Sequence, residues 1–204
     1  MQTYKYFLFR ITFLINNYTI IEKYINFVKK KIMNEYKSTK LFDGYSTAFR
    51  QWRAEHSHCK FLHGYAMKFK VTFTGRLDEL NWVCDFGSFK RNGIKEHMSY
   101  MFDHTTIVAS DDPKLPEFKT LAMKKLIQLR IIDDVGCEKF AEYVFDYINN
   151  IVQKETNNRV RVLKVESFEG GTKNSAIYQP VASAKIFYEN NNNKKANHKT
   201  KTII

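Results

Sequence analysis

From Tyr65 to Thr74 the chain alternates without a break. Tyr65, Met67, Phe69, Val71 and Phe73 share one parity, and Lys68, Lys70, Thr72 and Thr74 share the other. Successive side chains on a strand point to opposite faces, so this pattern predicts a half-buried strand with one apolar side. Such a strand needs pairing partners at its edges and a second layer over its apolar face. The segment just before it carries His56, His58, Cys59 and His63. His63 has the parity of Tyr65 and is expected on the side of the aromatics.

The other elements group around this strand. Residues 40–56 read as a first strand, with Leu41, Tyr45, Phe49 and Trp52 in its pattern. Residues 65–75 are the second strand, and the Gly75–Asn81 stretch is a turn. Phe86, Phe89, Ile94, Met98 and Met101 recur at near-helical spacing and predict helix over 85–102. Asp111-Asp112-Pro113 and Pro116 mark a loop, followed by a short helix over 118–126 and a short strand over 129–132. The stripe Phe140, Val144, Tyr147, Ile148 and Ile151 predicts a long amphipathic helix over 137–154. Strands at 160–168 and 175–178 close the pattern around a Gly-containing turn, and residues 181–188 extend it. Strands and helices are grouped rather than alternating, which is an α+β order.

The chain has 204 residues and a formal charge of +12. That charge belongs to the ends: residues 1–40 carry +6 and residues 181–204 carry +4, leaving +2 for 41–180. Neither end interleaves Arg with aromatics as nucleic-acid grooves do, which ranks a nucleic-acid-binding protein last. The apolar run Tyr6–Ile15 is shorter than the roughly 20 residues of a membrane span. Tyr18–Ile32 reads as an amphipathic helix. Residues 1–32 are therefore either an upstream extension, with Met33 the true start, or an added helix on the domain. The expected domain is 33–188, with a disordered Asn/Lys-rich tail over 189–204. Three cysteines, an odd number with no C-x-x-C pair, argue against a disulfide framework and fit a reducing cytoplasm.

Several residues carry chemistry. A neighbouring imidazole activates a thiol, which makes Cys59 a nucleophile or base candidate. In Asp103-His104 a carboxylate adjoins an imidazole whose tautomer it can fix. Glu166 has the parity of Val160 and Val162, which places a carboxylate on an apolar strand face, where it could accept paired N–H bonds.

Five motifs stand in a fixed order: Cys59-Lys60-Phe61-Leu62-His63-Gly64-Tyr65, Trp82-Val83-Cys84-Asp85-Phe86, Phe102-Asp103-His104, Glu138-Lys139-Phe140-Ala141 and Val165-Glu166. The set resembles the 6-pyruvoyltetrahydropterin and 6-carboxytetrahydropterin synthase family. The resemblance implies a tunnelling fold, an antiparallel β-sheet backed by two main helices that oligomerises into a barrel. It implies a cytoplasmic lyase acting on 7,8-dihydroneopterin triphosphate or a close relative, by triphosphate elimination with internal redox. Cys59 would be the base, Asp103 and His104 the relay reaching the Cys59 of a neighbouring subunit, and Glu166 the anchor of the pterin ring. The implied partners are a pterin and further copies of the chain, with no nucleic acid and no membrane. The alternative is a pterin- or purine-binding protein of the same fold without catalysis.

The resemblance also implies zinc on three histidines, one on the first strand and two from an H-G-H segment. Here His63 matches, but Tyr65 stands at the last position. Two registers remain for the first strand. Aligning Tyr45-Ser46-Thr47-Ala48-Phe49 puts Phe49 at the ligand position; aligning Arg53-Ala54-Glu55-His56 restores a histidine but leaves a very short connection to Cys59. Under the first register a zinc ion would need His56 or His58 beside His63.

Overall fold

The computed structural model describes residues 21–23, 34–171 and 173–181. Most of the expected N-terminal helix, the 181–188 strand extension beyond Val181 and the C-terminal tail lie outside the described residues. The elements run β1 (Tyr36–Phe49), β2 (His63–Gly75), α1 (Ser88–Arg91), α2 (Ile94–Phe102), β3 (Thr105–Ala109), α3 (Leu115–Met123), β4 (Leu129–Ile132), α4 (Cys137–Glu155), β5 (Val160–Glu169) and β6 (Asn174–Tyr178). They build one six-stranded sheet in the order β4-β3-β1-β2-β5-β6.

The α+β class and its helix-backed sheet are as expected. The antiparallel part is β1-β2-β5-β6. β3 runs parallel to β1 and β4 parallel to β3; α3 is the crossover that carries the chain back between β3 and β4.

Two bulges set which side chains face the core. In β1 the register with β2 shifts between Phe42 and Tyr45, where Gly44 takes φ +84°. Phe42, Tyr45, Thr47 and Phe49 then all face inward, while Leu41 is exposed. In β5 the register shifts between Val162 and Lys164, so Leu163 is the extra residue. The inward parity changes there from Val160 and Val162 to Val165 and Ser167.

The core lies between the inner sheet face and the helices. Met67, Phe69, Val71 and Phe73 of β2 are fully buried, as the alternation predicts. They meet Met98 and Phe102 from α2, and Phe140, Val144 and Ile148 from α4. The Phe102 ring lies 4.5 Å from Phe69 and 5.6 Å from Phe140, joining both helices to the sheet. Each fully buried side chain of this kind contributes about 1.5–3 kcal/mol.

β1 ends at Phe49, earlier than the pattern suggested. Arg50 turns away to pair with Asp112, with Nε 2.8 Å from the carboxylate and a second contact from its other nitrogen. Trp52 then falls in a turn held by Ala54 N–H to Gln51 O (2.9 Å) and Ser57 N–H to Ala54 O (2.9 Å). The predicted 85–102 helix is split at Gly93, whose φ of +78° breaks the helical path. The long helix is realised almost as read, from Cys137 to Glu155.

Candidate functional site

β1 and β2 put Phe49 directly opposite His63, and Thr47 opposite Tyr65. These four residues lie on the core face at the end of the sheet nearest the 50–62 loop. The Phe49 ring is 5.7 Å from His63 and 5.6 Å from Tyr65, and His63 and Tyr65 meet edge to face at 5.0 Å. His63 Nδ1 is 2.6 Å from the Phe61 carbonyl oxygen, and Nε2 is 3.1 Å from the Tyr65 hydroxyl.

Glu169, the last residue of β5, lies next to Gly170, where an added Cβ would stand 3.6 Å from the Tyr65 ring. The β5 bulge places it on the inner parity of Val165 and Ser167, and it is half-buried. Burial raises its carboxyl above the ordinary carboxylate value; the charge of Glu138 adds to the rise, and His63 opposes it. Burial likewise raises the Tyr65 hydroxyl, reinforced by Glu169, Cys59 and Cys137. Glu138 opens α4 just after Gly136, which has φ +136°. A Cβ on Gly136 would stand 2.6 Å from Gln51 Nε2, so glycine lets the loop approach the start of α4.

Cys59 is half-buried in a short 3-10 turn, His58–Lys60. Its N–H donates to Ser57 Oγ (3.2 Å), and its carbonyl accepts from Gln51 N–H (2.8 Å). Arg50 also reaches the Lys60 carbonyl (3.5 Å). The Arg50–Asp112 pair therefore ties the Cys59 loop to the end of β1.

The other expected site residues lie elsewhere. Glu166 pairs with Lys70 on the outer face, and its carboxylate accepts from Ser175 Oγ at 3.2 Å. The Leu163 bulge overturns the parity read from Val160 and Val162, so Glu166 does not share a face with His63. His56 and His58 are exposed on the loop, and the His58 ring meets Phe61 rather than His63. Asp103 and His104 do form a pair, Nδ1 to carboxylate 2.8 Å. The His104 side chain is 76% exposed, its backbone takes φ +55°, and it lines a recess of about 620 Å³ with Tyr45, Thr47, Tyr65 and Gln128. That recess contains none of residues 56–63.

Zinc fits poorly here. Among the described residues no three His, Cys, Asp or Glu side chains converge to hold an ion. The β1–β2 pairing realises the register that puts Phe49 beside His63. Phe49 has no lone pair to give, and structural and catalytic zinc draw on Cys, His, Asp and Glu.

The sequence profile of the 6-pyruvoyl tetrahydropterin synthase family matches residues 38–180. The chain belongs to that family. Solved structures agree on the fold. An uncharacterized protein from Wolinella succinogenes superposes with a TM-score of 0.62 at 21% identity, covering 72% of this chain and 99% of that one. The Caenorhabditis elegans 6-pyruvoyl tetrahydropterin synthase gives 0.50 at 18% identity, covering 73% and 98%. No curated protein matches. The described residues contain no helix long and apolar enough to cross a membrane. Within this family frame, the expected Cys59 and His63 stand at one end of the sheet. Sequence reading missed Glu169 because it adjoins Gly170-Gly171 and reads as part of the turn. Its inner position follows from the β6 pairing, where Glu169 faces Asn174, which the fold supplies and the sequence does not.

Proposed function

We propose that this chain is a pterin synthase-type lyase acting on 7,8-dihydroneopterin triphosphate or a close relative, in the cytoplasm and as a homo-oligomer. The observation that carries the reading is half-buried Glu169 at the end of β5, on the inner parity of its strand and next to Gly170, where an added Cβ would stand 3.6 Å from the Tyr65 ring that adjoins His63. A carboxylate at such a position accepts two N–H bonds from the guanidine-like edge of a pterin, and charge-assisted paired bonds orient the ring. We assign this anchoring role to Glu169 in place of Glu166, which faces the other side of the sheet.

In the proposed reaction, Cys59 takes a proton from the side-chain carbon next to the ring, the C–H electron pair flows into the ring C=N bond and the proton returns to the ring, so the side chain is oxidised as the ring is reduced. Loss of a second side-chain proton then supplies the electron pair that expels triphosphate with its bonding pair. No outside oxidant is needed. Asp103 and His104 act as the relay from a neighbouring copy, because within one chain the recess lined by His104 contains none of residues 56–63 and so does not include Cys59. Oligomerisation would also cover the outer edges of β4 and β6, which have no strand partner among the described residues.

A second reading is supported by one observation, Phe49 directly opposite His63 where the family resemblance would put a metal ligand: a pterin-binding protein that does not turn its ligand over. Titration of neopterin and turnover of the triphosphate, measured on the same sample, distinguish the two. Binding with turnover supports the lyase, binding alone supports the second reading, and no binding removes both.

A further inference from the structure

We infer that Tyr65, oriented by His63 and seated on Phe49, takes the place of a metal: the site holds its ligand without zinc, and the Tyr65 oxygen accepts a hydrogen bond from a side-chain hydroxyl of that ligand. The ligand in this inference rests on the pterin reading above. The metal independence rests on the three side chains themselves.

The hydrogen bonds fix the arrangement. A carbonyl oxygen only accepts, so His63 Nδ1, 2.6 Å from Phe61 O, carries the ring proton. In the neutral ring Nε2 then holds the lone pair, and the Tyr65 hydroxyl donates to it at 3.1 Å. The one His63 lone pair open to an ion is already engaged. Directly across the ladder, where a second imidazole would be needed, stands Phe49, 1% exposed and packed edge-on against Phe140 at 4.9 Å. His56 and His58 are exposed on the loop and bring no replacement.

With its proton directed to His63, Tyr65 offers oxygen lone pairs to whatever enters. The Tyr65 ring is held in place by Phe49 on one side and lies 3.6 Å from where a Cβ on Gly170 would be. Glu169 stands next to Gly170. In this proposal a flat ring anchored on Glu169 carries its substituent towards Tyr65. The oxygen then selects ligands with a hydroxyl in that substituent over those without one.

The test uses the full chain in metal-free buffer. Calorimetric titration with zinc alone should give no saturable uptake, in wild type and His63→Ala alike. One equivalent bound by wild type and lost in His63→Ala would overturn the inference. Neopterin, which carries side-chain hydroxyls, and unsubstituted pterin are then titrated against wild type and Tyr65→Phe. Loss of one neutral hydrogen bond predicts about a five- to tenfold weaker neopterin affinity, with pterin unchanged. Equal loss for both ligands, or for neither, would overturn the acceptor role. Phe49→His combined with Tyr65→His should gain one zinc per chain. Should that variant fold poorly, the wild-type titration still decides metal independence. If wild type binds neither pterin, the pterin reading falls and the acceptor role with it, while the zinc result stands separately.

Discussion

Phe49 and His63 are direct partners across β1 and β2, with ring centroids 5.7 Å apart. The pairing places an aromatic ring of the core against a polar ring of the site. Phe49 thus serves stability and site shape together.

Phe49→Ala should be costly. The side chain is 1% exposed and meets Phe140 edge-on. Removing a buried Phe costs about 3–5 kcal/mol, through lost transfer energy and the cavity left behind. Chemical denaturation should show a loss in this range; a loss below about 1 kcal/mol would mean that Phe49 is not packed as described.

Asp112→Asn should destabilise the chain in a pH-dependent way. The Asp112 side chain is 1% exposed and pairs with Arg50. Burial raises its carboxyl, but the Arg50 hydrogen bonds and the Lys114 N–H outweigh burial and hold it below the ordinary value. Its folded value lies below its unfolded value, so the stabilisation is present above the unfolded carboxylate range, near pH ~4, and is lost as pH falls through the folded value. Leaving Arg50 unpaired should cost roughly 3 kcal/mol at neutral pH. Melting curves across pH should show the wild-type advantage shrinking below about pH 4; a gap independent of pH would contradict the assignment.

Glu169→Gln and Glu166→Gln should behave differently. The first removes a charged acceptor from the inner face, and pterin affinity should fall by about 1.5–3 kcal/mol. The second lies on the outer face and should leave affinity unchanged. The reverse ranking by calorimetry would return the anchor to Glu166.

These two glutamates show where sequence reading stops. The period-two pattern of β2 and the stripe of α4 were legible because each is regular and each buries one face. Parity in β5 could not be extrapolated past Leu163, since a single inserted residue turns over every later side chain. The end of β1 was equally hidden, because Arg50 is drawn off by Asp112, 62 residues away. Cys59 and His63 were readable as local chemistry, and Asp103–His104 as a pair. That the recess lined by His104 excludes the Cys59 loop depends on how the sheet is assembled.

Cys59 should be the first thiol modified. It sits on the loop, half-buried, whereas burial pushes Cys84 up to about 12 and raises Cys137. Brief treatment with iodoacetamide at neutral pH, read by mass spectrometry, should label Cys59 ahead of the other two, and neopterin should slow that labelling. Faster labelling of Cys84 or Cys137, or no protection, would detach Cys59 from the ligand site.

The central claim is turnover by Cys59. Purified chain incubated with 7,8-dihydroneopterin triphosphate should release one triphosphate for each pterin consumed, and Cys59→Ala should bind neopterin normally yet release none. No release by wild type, or release by Cys59→Ala at the wild-type rate, would contradict the account.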